Sequence, residues 1–249
     1  MKRVLACLSV LAFIGFGSAQ DLEGRTIVVG SDTTYPPFEV VNEQGEIVGF
    51  DVDVVNAVCE RINCVAEFQT TAWDGIFPAL AQGEFDMVAS GVSITPERDE
   101  IVDFTDPYLV VNQAITTRVE DASLTEADFG AADSSLVLGA QLGTTNAALG
   151  EELVGSDRLR LYDTFNSAVQ ALLNGDVDGV IIDGVTADAF AQQHAGDLVV
   201  EIRGLSSDPL GLVFPEGDPL VDDFNQGLAQ IKEDGTLDAL IEQWFGGTD

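Results

Sequence analysis

The sequence predicts an α/β protein built from two similar lobes. Short apolar runs with strand character alternate along the chain with longer runs of helical period. A helix–glycine–strand unit occurs twice, because ALAQGEFDMVAS (Ala79 to Ser90) lies over ALLNGDVDGVII (Ala171 to Ile182) at a constant offset of 92 residues. Each copy carries Ala-Leu, a glycine, an acid, an apolar residue and an aspartate before its strand, which points to two related α/β lobes and not one sheet. The chain is also long enough, at 249 residues with 46% hydrophobic, to fill two such cores.

The first segment reads as an export signal. Lys2 and Arg3 give it a basic start, Val4 to Phe16 are apolar, and Gly17, Ser18 and Ala19 suit cleavage after Ala19. A membrane anchor would need roughly 20 apolar residues, more than this run supplies. Residues 1–19 are therefore expected to be a signal peptide. Cys7 lies too near the start to be the lipid-modified Cys of a lipoprotein.

Beyond residue 19 the elements follow in order. Thr26 to Gly30 (TIVVG) reads as a buried strand. Pro36 and Pro37 forbid a helix in the turn that follows. Phe38 to Val41 and Ile47 to Val48 flank Asn42 to Gly45 as a hairpin. After Gly49, Phe50, Val54, Val58 and Ile62 recur four apart, the stripe of an amphipathic helix. Asp51 and Asp53 fall in its first turn, where negative charge favours the helix dipole. That explains them better than a metal site, since no further ligand cluster lies nearby.

Asp74 to Gln82 reads as a helix stopped by Gly83, and Phe85 to Ala89 as a strand. The second lobe is expected to hold strands at Leu136 to Ala140, Leu159 to Tyr162 and Val177 to Ile182. Its helices are expected at Thr144 to Leu153, Ser167 to Asn174 and Ala187 to His194. Leu210 to Phe214 (LGLVF) reads as one strand, followed by helices at Leu220 to Glu233 and Leu237 to Phe245. No low-complexity linker separates the lobes, so short crossing strands are expected to form a hinge.

Charge excludes several functions. With 43 Asp+Glu against 10 Lys+Arg, the formal charge is -33. Loss of residues 1–19 would leave 8 basic and 43 acidic residues, Lys232 being the one remaining lysine. Such a chain repels phosphate, so nucleic acid and anionic membrane surfaces are not expected as partners. The same charge suits a soluble protein exported to a salty exterior. A single His and no Cys/His cluster argue against a metal or haem site, and no cofactor is expected. His194 belongs at a helix end and not in a catalytic role. Cys59 and Cys64 either form a disulfide, which export permits and which needs the helix to end near Ile62, or remain two buried thiols.

The residues able to do chemistry gather at predicted strand ends. They are Asp32, Tyr35, Trp73, the stretch Ser90 to Arg98, Gly143 to Thr145, and Asp183. In open α/β sheets, ligands bind beyond the carboxyl ends of the strands. An arginine fork such as Arg98 holds a carboxylate bidentately. Backbone N–H groups at Ser93 and at Gly143 to Thr145 can complete a carboxylate cradle. Asp183, on the other lobe, can accept from an ammonium. Together these describe a zwitterion site, against the plainer reading of Arg98 as paired with Glu97 or Asp99 on the surface.

The stretch GFDVDVVNAVCERI resembles the signature of the family 3 periplasmic solute-binding proteins, the polar amino-acid receptors of ABC importers. The order of segments is similar throughout: SDTTYPPFE, GFDVD, WDGIFPAL, DMVASGVSITPERDEIVDFTDPY, QLGTT, DGVIID and DGTLDALIEQWFG. The resemblance implies two Rossmann-like α/β lobes joined by a two-strand hinge, the type II periplasmic-binding-protein fold. It implies lobe 1 from residues 20–109 and 206–249, and lobe 2 from 110–205. It also implies a periplasmic, monomeric protein that delivers its amino acid to an ABC transporter permease.

Carried onto this sequence, the resemblance implies that Arg98 binds the α-carboxylate, supported by Ser93, Thr144 and Thr145. Asp183 would bind the α-ammonium beside the carbonyls of Ser90 or Gly91. Asp32, Tyr35 and Trp73 would meet the ligand side chain, with Phe38 as a further wall. The chain departs from the histidine and lysine/arginine/ornithine branch at Gly91, where that branch often has Ser, and at Trp73. Asp32 beside Tyr35 and Trp73 favours a basic side chain, and glutamine remains open. The alternative on this fold is a cyclohexadienyl dehydratase, which would need a general acid in the cleft.

Overall fold

The computed structural model describes residues 21–246, so the expected signal peptide lies outside the described residues. The chain begins with β1 (Arg25–Ser31), β2 (Thr34–Tyr35), β3 (Glu39–Val41) and β4 (Ile47–Val48). β3 and β4 form the expected hairpin, and β2, in the stretch read as a turn, adds antiparallel to β3. Helix α1 (Phe50–Ile62) follows, and its predicted stripe is the buried face: Phe50, Val54 and Val58 are fully buried and Ile62 nearly so. Each such side chain contributes about 1.5–3 kcal/mol of hydrophobic stabilisation before entropy is counted. Gly49 ahead of the helix permits a close approach, since a Cβ there would sit 2.0 Å from the Phe38 carbonyl oxygen.

Asn63 ends α1 in the left-handed conformation and returns its N–H to the Cys59 carbonyl. That turn brings Cys59 and Cys64 together with Cα atoms 4.6 Å apart, and the two are disulfide-bonded. The chain continues through β5 (Cys64–Thr70), α2 (Ile76–Ala81), β6 (Met87–Val88), α3 (Pro96–Asp99), β7 (Val102–Phe104) and β8 (Leu109–Val111). The second lobe holds β9 (Gln113–Arg118), α4 (Glu126–Gly130), β10 (Leu138–Gln141), α5 (Thr145–Val154) and β11 (Leu159–Tyr162). It is completed by α6 (Phe165–Asn174), β12 (Gly179–Asp183), α7 (Gly184–Gln193) and β13 (Leu198–Ile202). The chain returns through β14 (Asp208–Leu210) and β15 (Val213–Pro215) and ends in α8 (Leu220–Glu233) and α9 (Thr236–Phe245).

Two five-stranded sheets result, in the orders β5-β1-β6-β15-β7 and β11-β10-β12-β9-β13. Each has a parallel centre and antiparallel strands toward one side: β15 pairs with β6 and β7, and β9 pairs with β12 and β13. Between the sheets, β8 and β14 pair antiparallel in a two-stranded ribbon. The chain crosses from one lobe to the other along this ribbon. Helix α8 buries Phe224, Leu228 and Ile231 on the first lobe, and a Cβ on Gly227 would approach Val58 to 2.7 Å.

The predicted single strand Leu210 to Phe214 is two strands. Leu210 closes the crossing ribbon, Gly211 donates to the Val92 carbonyl, and Val213 opens β15 in the first sheet. The predicted helix Asp74 to Gln82 is shorter, starting at Ile76 behind a left-handed Gly75.

Candidate ligand-binding site

A narrow cavity lies between the lobes, lined by residues of both. From the first lobe, the turn after β1 supplies Asp32, β2 supplies Tyr35, the turn before α2 supplies Trp73, and the segment after β6 supplies Ser90, Gly91 and Ser93. Arg98 is carried on α3, whose cap Thr95 accepts the Arg98 backbone N–H at 3.2 Å. From the second lobe come Gln141 at the end of β10, Thr144, Thr145 and Asn146 at the start of α5, Phe165 at the start of α6, and Asp183 at the end of β12. The rule that ligands sit beyond strand ends thus describes both halves of this cavity.

Arg98 is deeply set. Its Nη1 donates to the Ser93 carbonyl at 2.9 Å, and its Nη2 reaches the Gly143 carbonyl of the other lobe at 3.5 Å. Its guanidinium lies 5.2 Å from the Trp73 ring centre and 5.4 Å from that of Phe77, within cation–π range. Burial lowers its pKa to about 10, so it stays a cation at neutral pH. Helix α5 points its N-terminus into the same region, capped by the Thr144 hydroxyl on the Ala147 N–H at 3.1 Å. The Ser93 and Thr145 hydroxyls face one another across the cleft at 3.4 Å.

Asp183 forms the opposite pole and is almost fully buried. The Tyr35 hydroxyl of the other lobe donates to it at 2.7 Å, and Asn146 Nδ2 donates at 3.0 Å. Burial raises its pKa to about 6, against the lowering effect of those two hydrogen bonds. The Tyr35 hydroxyl is pushed well above its ordinary range, first by burial and then by the Asp183 charge.

A third charge is Asp32. Its Oδ1 accepts from the Thr34 hydroxyl at 2.7 Å and the Thr34 N–H at 3.3 Å, and its Oδ2 accepts from Gln141 Nε2 across the cleft at 2.8 Å. Gln141 Nε2 also donates to the Asp163 carbonyl at 2.9 Å. Both amide hydrogens are therefore spent on acceptors, and Gln141 offers the cavity only its carbonyl oxygen.

Ten of the residues singled out in the sequence line this cavity. Phe38 does not: it is fully buried, stacked on the far side of Tyr35 at 5.3 Å and packed edge-on to Phe50 at 6.2 Å. Its place in the sequence, one residue before β3, turns it into the first lobe's aromatic core, so it backs the wall and does not form it. Gln141, Asn146 and Phe165 were not anticipated. Gln141 follows the predicted strand Leu136 to Ala140 directly and Asn146 follows Thr145, so the strand-end argument extended by one residue would have reached both. Phe165 stacks on Tyr35 at 5.4 Å across the lobes, and no sequence signal separates it from a core phenylalanine.

Two acids lie beneath the floor. Asp51 is fully buried and accepts from the Gly91 N–H and the Tyr108 hydroxyl, both at 2.8 Å. Its first-turn position was expected to serve the helix dipole; it also fastens the cleft floor. Burial raises its pKa to about 6. Glu39 is also fully buried and accepts from the Ser90 hydroxyl at 2.7 Å. Among the described residues, no group of three or more His, Cys, Asp or Glu is arranged to hold a metal ion.

Residues 27–247 match the model of the bacterial extracellular solute-binding proteins, family 3. The ABC transporter arginine-binding protein 1 of Escherichia coli K12 is 33% identical over 250 residues, covering 98% of both chains. Among solved structures, an ancestral arginine-binding protein bound to glutamine superposes with a TM-score of 0.82 at 34% identity, covering 89% of this chain and 98% of that one. An ancestral amino acid-binding protein described as a precursor of cyclohexadienyl dehydratase gives a TM-score of 0.80 at 36% identity, covering 88% and 95%. These neighbours share the two-lobed, type II periplasmic-binding-protein architecture expected from the sequence. By family model, relatives and fold together, the chain belongs to the family 3 bacterial extracellular solute-binding proteins.

Proposed function

We propose that the protein captures a basic L-amino acid between its lobes and presents it to an ABC transporter permease outside the cytoplasm. The observation that carries this is the charge set of the cavity: Arg98 against Asp183, with Asp32 as a second carboxylate. A zwitterionic backbone balances the first two, with its carboxylate at Arg98 and α5 and its ammonium at Asp183. Asp32 is left over, and a cationic side chain brings the enclosed charge to zero. An acidic side chain would add to it, and uncompensated buried charge is costly. The carbonyl oxygen of Gln141 lies beside Asp32 as a further acceptor, which suits a guanidinium or ammonium. The Tyr35 and Phe165 rings offer flat surfaces for the aliphatic or planar part of such a side chain. A neutral amide such as glutamine can meet the same acceptors with less electrostatic gain, in keeping with the ancestral arginine-binding protein bound to glutamine.

Capture works by closure. Arg98 and Asp183 belong to different lobes, so a ligand gripping both favours the closed form over the open one. The bonds Tyr35 to Asp183 and Gln141 to Asp32 already span the cleft and complete that form. The ribbon of β8 and β14 is where the chain flexes. A micromolar dissociation constant corresponds to about 8 kcal/mol, within reach of a few charge-assisted hydrogen bonds in a desolvated cleft. The relatives described above are binding proteins, and the one that touches the dehydratase alternative is itself an amino acid-binding protein described as its precursor.

A thermal-shift screen over the twenty amino acids plus ornithine and citrulline tests the assignment. A basic amino acid at a hundred times its dissociation constant should stabilise the protein by about 2.7 kcal/mol. Stabilisation by an acidic amino acid alone, or by none, would sink it.

A further inference from the structure

We propose that Glu39 is a positioning residue of the cleft: its buried carboxyl group holds the Ser90 hydroxyl, and through it the backbone of Asp32, so that it sets affinity for the ligand side chain without touching the ligand. The inference rests on the reading that Asp32 faces that side chain. Ser90 Oγ donates to Glu39 Oε1 at 2.7 Å and accepts the Asp32 N–H at 3.0 Å. The relay is buried throughout: Glu39 is fully enclosed, and Ser90 and Asp32 are each within a few per cent of it. Glu39 itself is absent from the cavity wall.

The second oxygen of Glu39 has no hydrogen-bond partner and no exposure. A buried polar atom left unpaired costs free energy, so packing alone would favour an apolar side chain here. What the carboxyl group provides is the acceptor for Ser90. The charges that act on Glu39 are Asp51 at the start of α1 and Asp32 after β1, both negative. The Tyr35 and Tyr108 hydroxyls also face it, and both are held in their neutral form by burial. Burial first, and Asp51 second, push the Glu39 pKa well up.

Calorimetric titration of L-arginine and L-glutamine into wild type, Glu39→Gln and Glu39→Met tests this. Gln keeps a neutral acceptor of the same shape; Met keeps the volume and removes the acceptor. Glu39→Gln should stay within threefold of wild type for both ligands. Glu39→Met should bind L-arginine at least tenfold more weakly and lower the arginine-to-glutamine affinity ratio at least fivefold. A purely structural role would lower the melting temperature and leave that ratio alone. If Glu39→Met does not fold, Glu39→Ala carries the same comparison. A folded acceptor-less variant with wild-type affinity and ratio overturns the proposal, as does Glu39→Gln binding as weakly as Glu39→Met. Asp32→Asn runs alongside: if it leaves the ratio unchanged, the reading of the side-chain pole has failed, whatever Glu39 does.

Discussion

If Asp183 is the ammonium pole proposed above, ligand affinity should depend on acidity in a definite direction. Its carboxyl group, buried in the cleft, has a pKa of about 6 without ligand, against 3.8 for an ordinary aspartate. A ligand ammonium needs the ionised form. At pH 7.5 nearly all molecules are competent, and at pH 5 about one in eleven is, so the apparent dissociation constant should rise about tenfold. Arg98, with a pKa of about 10, keeps its charge over the whole range. Binding of L-arginine should therefore release close to one proton per ligand at pH 5 and almost none at pH 7.5. Calorimetry in two buffers of different ionisation enthalpy, at constant salt, reads that number directly. The stability of the ligand-free protein runs the other way. Between pH 3.8 and 6 the folded state holds a proton that the unfolded chain has lost, so this group's contribution falls as pH rises. The total is about 3 kcal/mol, spent by pH 6 and constant above it. Affinity that is flat from pH 5 to 8, or that strengthens in acid, would refute the assignment of Asp183 to the ammonium pole.

Further outcomes follow from single contacts. Arg98→Ala should weaken every amino acid at least a hundredfold, since two charge-assisted hydrogen bonds at about 1.5–3 kcal/mol each are removed; retained affinity in a titration would place the carboxylate elsewhere. Asp32→Asn should weaken L-arginine about tenfold or more while changing L-glutamine little, as measured by competition between the two. Gly91→Ala should lower the melting temperature and the affinity together. Gly91 has φ +54°, and a Cβ there would meet the Tyr35 ring at 2.9 Å and push its hydroxyl off Asp183. Replacing both Cys59 and Cys64 with Ser should cost about 2 kcal/mol in denaturant unfolding and leave affinity unchanged, because the loop closed is short and remote from the cleft.

Much of the molecule was legible because its periodicities are local. The α1 stripe and the repeated helix–glycine–strand unit each depend on neighbours a few residues away. What escaped was set at long range. Strands β5, β9 and β13 were not read from the sequence, and each is held by pairing with a neighbouring strand distant in the chain. Leu210 and Val213 lie three residues apart yet belong to different sheets, a division made by the ribbon partner of one and the sheet partners of the other. In the cleft, charged residues at strand ends stood out against an apolar background. Aromatic residues did not sort: Phe38, expected in the wall, belongs to the core, and Phe165, not expected there, lines the cavity, since a ring beside a ligand and one in a core read alike. Glu39 was hidden by its own chain position: one acid among 43, with nothing local to say that it would be enclosed.

The position of β15 bears on how the molecule is assembled. This strand arrives after residue 212, yet it sits between β6 and β7 and is the link that joins β7 to the rest of its sheet. The second sheet, by contrast, draws all its strands from the unbroken stretch 113–202. As the polypeptide emerges from its N-terminus, the later-encoded half has everything it needs to condense, while the earlier-encoded half waits for the final segment. A truncation that removed only the last forty residues would leave the younger half intact and the older one open along its middle.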